Sequence, residues 1–278
     1  GHGLVMALER KTGAVRWQKS LVDDFGGKAP IWGYSTSPLV QDDTVYLEAG
    51  GAFGHALFAL NASDGSLRWN VGDYKVSYSS PTSIEIGGQK QVVFFTAHQI
   101  VSVDATTGKV VWFHRWKTSY DVHAATPLFL PPNRLFIASG YGTGGAMFQV
   151  NKGTGPYAIK ELWRSKNMQN KMATSIIHKE HIFGFDDFDL ACLDAKNGER
   201  KWKMEGFGRG TALLAGEKLI VLGENCKLAL MNASESKPEV EAQIELDGDR
   251  CWTIPSVSNG ILYIRDLTHM MAIDLRSK

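Results

Sequence analysis

The chain has little cysteine chemistry to offer. Cys192, Cys226 and Cys251 are its only three cysteines, odd in number and far apart. No two form a Cys-x-x-Cys metal or redox pair, and Cys192, set in an apolar strand pattern, reads as a small buried hydrophobe. A surplus of either charge is also missing. The 30 basic and 29 acidic residues give a formal charge of +1 and no run of like charges, so composition offers no reason to expect nucleic acid or an anionic membrane. No apolar run approaches the ~18 residues of a membrane-spanning helix, and no segment has the layout of a signal peptide. No window carries a convincing helical stripe.

What the chain does have is a recurring phrase: an apolar pair, Asp or Asn, Ala, two variable residues, Gly, and Trp four residues later. Its clearest copies are Val103-Asp104-Ala105-Thr106-Thr107-Gly108 with Trp112 and Leu193-Asp194-Ala195-Lys196-Asn197-Gly198 with Trp202. Leu60-Asn61-Ala62-Ser63-Asp64-Gly65 with Trp69 is a third, and Leu8-Glu9-Arg10-Lys11-Thr12-Gly13 with Trp17 a looser fourth. Repeats of roughly 40–50 residues stack into propellers or solenoids. Within the phrase, the Asp or Asn side chain can bond the amides of its own turn and the Gly can take positive φ. The phrase therefore has a complete structural explanation, and Trp17, Asn61, Gly65, Trp69, Asp104, Gly108, Trp112, Asp194, Gly198 and Trp202 are assigned to blade structure, together with the displaced Trp163.

Each repeat reads as four short strands. Small, polar first strands end in Ser-Pro or Thr-Pro, as in Tyr34–Pro38, Tyr78–Pro81 and Ala124–Pro127. β-Branched or aromatic second strands follow, such as Thr44-Val45-Tyr46-Leu47 and Val92-Val93-Phe94-Phe95. A third strand leads into the turn and a fourth carries the Trp. Alternation with Gly, Asn and Asp punctuation indicates β structure throughout. Small first strands suit a crowded axis, and the Trp suits the widening gap at the rim. Whole units run over 33–72, 76–116, 121–165, 171–205 and 208–246, with a half unit at 4–21 and a three-strand unit at 250–275. The expectation is a single all-β propeller domain over 1–278, of four-stranded antiparallel blades and about six of them. The outer strand Ala14–Trp17 is expected to complete the last blade and close the ring, removing both edges.

These residues resemble the quinoprotein-like β-propellers with their Asp-x-x-Thr-Gly-x-x-x-Trp docking motif. More narrowly, Asp24-Phe25-Gly26-Gly27-Lys28, Trp32-Gly33-Tyr34-Ser35 and Ser139-Gly140-Tyr141-Gly142-Thr143-Gly144-Gly145 are similar to bacterial PQQ-like repeat propellers, including the lipoprotein subunit of the outer-membrane β-barrel assembly machinery. The resemblance covers essentially the whole chain. It implies export to the periplasm or secretion and an eight-bladed ring, of which this sequence carries about six blades unless the ring is a shorter one.

Catalytic relatives of this superfamily hold pyrroloquinoline quinone beside calcium, under a disulfide between adjacent cysteines. Here no cysteines are adjacent, and Asp186-Asp187-Phe188-Asp189 is the densest acidic cluster, explained equally well as a solvated loop. No metal site, catalytic residue or cofactor is expected, with the quinone and calcium as the alternative. The expected ligand-binding surface is one mouth of the central channel, with Trp32, Tyr34, Tyr78, His123, Arg209, Arg250 and Trp252 around it and Asp121 close by. No partnered nucleophile marks a hydrolase. Tyr141–Gly145 precedes a strand rather than a helix, which removes the phosphate-cradling reading. Asn61-Ala62-Ser63 and Asn232-Ala233-Ser234 fit the glycosylation sequon but lie in the repeat turn.

The leading function is a non-catalytic scaffold binding an envelope protein, a peptide or a small ligand. The alternatives are a quinone-dependent alcohol or sugar dehydrogenase and a carbohydrate-binding propeller. The chain is expected as a monomer or, with an unsealed ring, a strand-swapped dimer.

Overall fold

A computed structural model describes residues 1–276, and among them there is no helix. The strands are β1 (Leu4–Leu8) and β2 (Val15–Ser20), then β3 (Leu39–Gln41), β4 (Thr44–Glu48), β5 (Leu57–Asn61) and β6 (Leu67–Val71). Next come β7 (Thr82–Ile86), β8 (Gln89–Phe95), β9 (Gln99–Asp104) and β10 (Val110–Arg115), followed by β11 (Leu128–Leu130), β12 (Arg134–Ser139), β13 (Gly144–Asn151) and β14 (Ala158–Ser165). The last three groups are β15 (Ile176–His178), β16 (His181–Asp186), β17 (Asp189–Asp194) and β18 (Arg200–Met204); β19 (Thr211–Ala215), β20 (Lys218–Leu222), β21 (Lys227–Asn232) and β22 (Val240–Glu245); and β23 (Ser256–Ser258), β24 (Ile261–Arg265) and β25 (Met270–Asp274).

Each group pairs only with itself, in sequence order, giving one two-stranded, five four-stranded and one three-stranded sheet. The pairings are antiparallel, as in β16–β17 and β4–β5. This is the propeller architecture of four-stranded blades that the repeat predicts, with six to seven blades. The chain divides into two compact units: Gly1–Leu135 with Phe148–Lys160, and Phe136–Met147 with Glu161–Lys278. The first holds the sheets β1–β2, β3–β6 and β7–β10; the second holds β15–β18, β19–β22 and β23–β25. The strands of β11–β14 are divided between them.

Two expectations are corrected. The small segments ending in Pro38, Pro81 and Pro127 are not strands, and pairing starts at the residue that follows each proline. Proline has no N–H to give to a ladder, so the first strand begins after it. The expected completion of the last blade also does not form. β2 pairs with β1 in a sheet of its own, and β23–β25 stays three-stranded. Val15–Ser20 pairs instead with Leu4–Leu8 in a tight local hairpin, which costs far less loop entropy than a pairing across the whole sequence.

Core strands are buried on both faces. Val45 and Leu47 of β4 pack with Phe58, Leu60 and Trp17, whereas Tyr46 between them packs with Trp69, Val92 and Phe94. That two-sided burial suits second strands with apolar side chains on both faces, such as Val45-Tyr46-Leu47 and Val92-Val93-Phe94-Phe95.

The turn phrase works locally and across sheets. Asp104 accepts amide bonds from Thr106 and Thr107 at 3.1 and 2.9 Å, and Gly108 N–H closes the turn on the Asp104 carbonyl at 2.9 Å. Each indole then reaches the turn of the next repeat. Trp17 donates to the Ala62 carbonyl at 2.9 Å and Trp69 to Ala105 at 3.1 Å in the first unit. In the second, Trp163 donates to Ala195 and Trp202 to Ser234, both at 2.9 Å. Trp112 differs: its indole donates at 2.8 Å to the Gln91 side chain within its own sheet. The following repeat is degenerate, and its Tyr157 instead reaches back to the Ile86 carbonyl at 3.1 Å and to Gln89 at 2.9 Å.

Candidate functional site

The residues expected around one binding mouth fall into three environments. Two are core residues. Tyr34 is buried, its hydroxyl donates to the Ala49 carbonyl at 2.8 Å, and burial, with Glu48 adding to it, pushes its pKa up to about 12. His123 is fully buried and stacks on Phe95 with ring centroids 4.2 Å apart. Its Nε2 lies 3.0 Å from the Ala97 carbonyl, and burial lowers its pKa to about 4. Both side chains are spent on packing and present nothing to a ligand. Tyr34 packs with Leu21, Phe25 and Val76, and His123 with Phe95, so the polarity of these two side chains did not report exposure.

In the first unit, Trp32 and Tyr78 form a tilted ring pair with centroids 5.5 Å apart, and the Trp32 N–H points to the Tyr78 hydroxyl at 3.4 Å. Nearby, Asp121 takes Lys75 at 2.9 Å and His98 at 3.2 Å, and the hydrogen bond from Lys75, ahead of the one from His98, holds its carboxyl below the usual range.

In the second unit, Arg209, Arg250 and Trp252 belong to a connected wall. The Arg209 guanidinium lies 3.8 Å over the Phe188 ring while its Nε donates to Asp187 at 2.9 Å. Arg250 lies 4.7 Å over the Trp252 ring. Glu224 ties the two halves: one carboxylate oxygen accepts the Trp252 indole N–H at 2.9 Å and the other the Arg209 backbone N–H at 3.2 Å. Stacking on an aromatic face leaves a guanidinium's remaining in-plane N–H donors, those of Arg209 other than Nε included, able to meet a ligand or partner. Phe188 and Trp252 are exposed.

Sequence reasoning missed Glu224 and Phe188 as parts of this wall, and it missed the disulfide between Cys226 and Cys251, 25 residues apart. The signal was there in the neighbours. Arg250-Cys251-Trp252 and Glu224-Asn225-Cys226 each place a cysteine beside wall residues, and the bridge brings the two segments together, with Cys251 N–H on the Glu224 carbonyl at 3.0 Å. Cys192 is buried as expected, and burial pushes its thiol up to about 12.

The acidic cluster does not fit calcium and quinone. Asp186 is taken by the Gln169 N–H at 3.0 Å and by Arg200, Asp187 by Arg209, and Asp189 by Lys203. Their neutralisation by three cations leaves no hard-oxygen cage. Among the described residues no three His, Cys, Asp or Glu side chains are grouped to hold a metal ion, and the disulfide does not join adjacent cysteines. Among the described residues no helix is long and apolar enough to cross a membrane.

The repeated four-stranded antiparallel sheets are those of a PQQ-like repeat β-propeller. The chain belongs to the family described as outer membrane protein assembly factor BamB, whose model matches residues 1–204. Solved structures agree on the fold. BamB from Moraxella catarrhalis superposes with a TM-score of 0.69 at 17% identity, covering 98% of this chain and 78% of that one. The computationally designed Ika8 protein gives 0.70 at 14% identity over 99% and 78%. A functionally unknown protein from Desulfotomaculum acetoxidans gives 0.63 at 12% identity over 99% and 90%. No curated protein sequence matches the chain.

Proposed function

We propose that this chain is a non-catalytic propeller scaffold that binds a protein or peptide partner in the cell envelope. The observation that carries the reading is the wall in the second unit: two guanidinium groups laid on exposed aromatic rings, with Glu224 joining the Trp252 indole to the Arg209 backbone. Rigid aromatics and arginines are the residue types that dominate binding energy at protein interfaces. The wall holds no nucleophile within reach of a base, which a hydrolase would need. The disulfide supports a periplasmic or secreted setting, because such bonds persist in oxidising compartments. The indole-to-turn bonds support a fastening role for the Trp phrase, independent of any quinone.

The test is site-specific photo-crosslinking from position 252 in envelope extract. The reading expects a discrete adduct that disappears in the Arg250→Glu variant. No adduct, or one unchanged by Arg250→Glu, overturns it. Dye reduction with added quinone and calcium at a rate above background would overturn the non-catalytic part.

A further inference from the structure

Strand β22, Val240-Glu241-Ala242-Gln243-Ile244-Glu245, is the fourth strand of its sheet and carries no tryptophan. The register shows which residue stands in its place. Trp17, Trp69 and Trp202 lie opposite Ala7, Ala59 and Cys192 of the neighbouring strand, each beside a register shift. Ala242 lies opposite Leu230 beside the same shift, so it holds the tryptophan position.

The receiving side of the fastener is nevertheless present. Ala62, Ala105 and Ala195, whose carbonyls accept indoles, bond through their own N–H groups to the carbonyls of Asp43, Lys90 and Glu180. Leu275 N–H makes the equivalent bond to the Gly260 carbonyl at 2.8 Å. The equivalence follows from the ladders: Ile261 pairs with Asp274 as Gln91 pairs with Asp104.

Between Ala242 and Leu275, where other gaps between sheets hold an indole, lies a cleft of about 340 Å³. Ile220, Leu228, Leu230 and Leu262 line it with them. Leu230 and Leu275 are larger than the alanines at the matching positions and take part of the space, yet the cleft remains. Ile244 also lines it, and Ile244 and Leu275 are about half exposed, so it opens to solvent. Ile220 and Leu262 belong to the core shared by the two sheets. The cleft therefore continues, outward, the same sheet-to-sheet interface that indoles complete elsewhere in the fold.

We infer that this cleft receives a tryptophan side chain of a partner polypeptide, its ring against Leu230 and Leu262 and its N–H donating to the Leu275 carbonyl. An apolar cleft edged by one carbonyl suits a ring with apolar faces and a single donor. Such a ring is uncharged, so the fit needs no ionic match. Tryptophan is also among the residues that dominate binding energy at interfaces. A second copy of this chain does not supply it. The indoles of Trp17, Trp69, Trp112, Trp163, Trp202 and Trp252 are hydrogen-bonded within the molecule, Trp116 is buried, and Trp32 lies against Tyr78. The cleft shares no lining residue with the arginine–aromatic wall, and its occupation does not depend on the wall.

The experiment titrates N-acetyltryptophanamide into the full chain by isothermal calorimetry, with backbone amide shifts followed by NMR. Saturable binding is expected, with shifts centred on Leu228, Leu230, Gln243, Leu262 and Leu275. The 1-methyl derivative, which has lost the indole N–H, binds up to about tenfold more weakly. Ala242→Trp supplies the ring from within, removing the binding and raising the melting temperature. Ala242→Met blocks the same space with a smaller, more adaptable side chain and weakens binding about tenfold or more; circular dichroism shows which variants fold. No saturable binding, shifts centred elsewhere, or unchanged binding by a folded Ala242 variant overturns the inference. Free 3-methylindole binding while N-acetyltryptophanamide does not would overturn it in favour of a small aromatic ligand. A dimer in sedimentation velocity that Ala242→Met dissociates would overturn it in favour of self-association.

Discussion

The indole of Trp69 lies so close over Gly108 that a β-carbon at Gly108 would fall 2.6 Å from the ring. The same relation holds between Trp17 and Gly65 at 2.8 Å and between Trp163 and Gly198 at 2.5 Å. The glycine of the repeat is therefore demanded twice, once by the turn at φ +72° and once by the ring of another repeat.

Gly108→Ala is expected to cost about 2–4 kcal/mol, combining left-handed strain with overpacking against the indole. Trp69→Ala is expected to cost about 3–5 kcal/mol, the usual range for emptying a large aromatic site. In the Trp69→Ala background the glycine substitution should cost only about 1–2 kcal/mol, because the collision is gone and the backbone strain remains. Urea denaturation of the four proteins in the cycle measures this. Additive costs would show that the glycine serves the turn alone.

Stability should fall as pH rises from about 6.5 to 8. Glu48 is fully buried with neither carboxylate oxygen hydrogen-bonded, and burial pushes its pKa up to about 8. Between about pH 4.5 and 8 the folded state holds a proton on Glu48 that the unfolded chain has lost, so stability declines with pH. His123, lowered to about 4 by burial, acts oppositely: the unfolded chain holds the extra proton up to about 6.5, so stability rises with pH there. The two offset each other below 6.5, and above it Glu48 acts alone, for about 2 kcal/mol by pH 8. Melting curves at both pH values should show Glu48→Gln gaining on wild type across this window, and a constant difference would refute the assignment.

Replacing Cys226 and Cys251 together by Ser should lower stability by about 3–4 kcal/mol, since the bridge closes a loop spanning 25 residues. The Arg250–Trp252 segment should loosen first, seen as faster amide exchange over residues 247–253 and a red-shifted Trp252 emission. If exchange there is unchanged, the bridge is not what holds the wall.

The repeat made the architecture legible because its constraints are local. The strand alternation, the Asp-capped turn and the spacing to Trp are all set within one unit, and the observed sheets follow the expected unit boundaries closely. The degenerate third unit was legible too, and the structure adds that Tyr157 takes over part of the missing fastening. The site was legible only in pieces. Arg209, Arg250 and Trp252 do lie in one wall, but Glu224 and Phe188, which lock and extend it, come from separate sheets' connections and share no motif with them. Tyr34 and His123 looked like mouth residues because polar aromatics near small residues give no sign of how deeply a ring is inserted.

The sequence by itself determined the class of fold and the composition of each blade, because period, turn chemistry and side-chain volume act over a few residues. Tertiary structure alone decided which cysteines pair, which aromatics are buried and which project, and that β2 stays with β1 rather than completing the last sheet. Those outcomes depend on which surfaces meet across long stretches of chain, where local pattern carries no distance information.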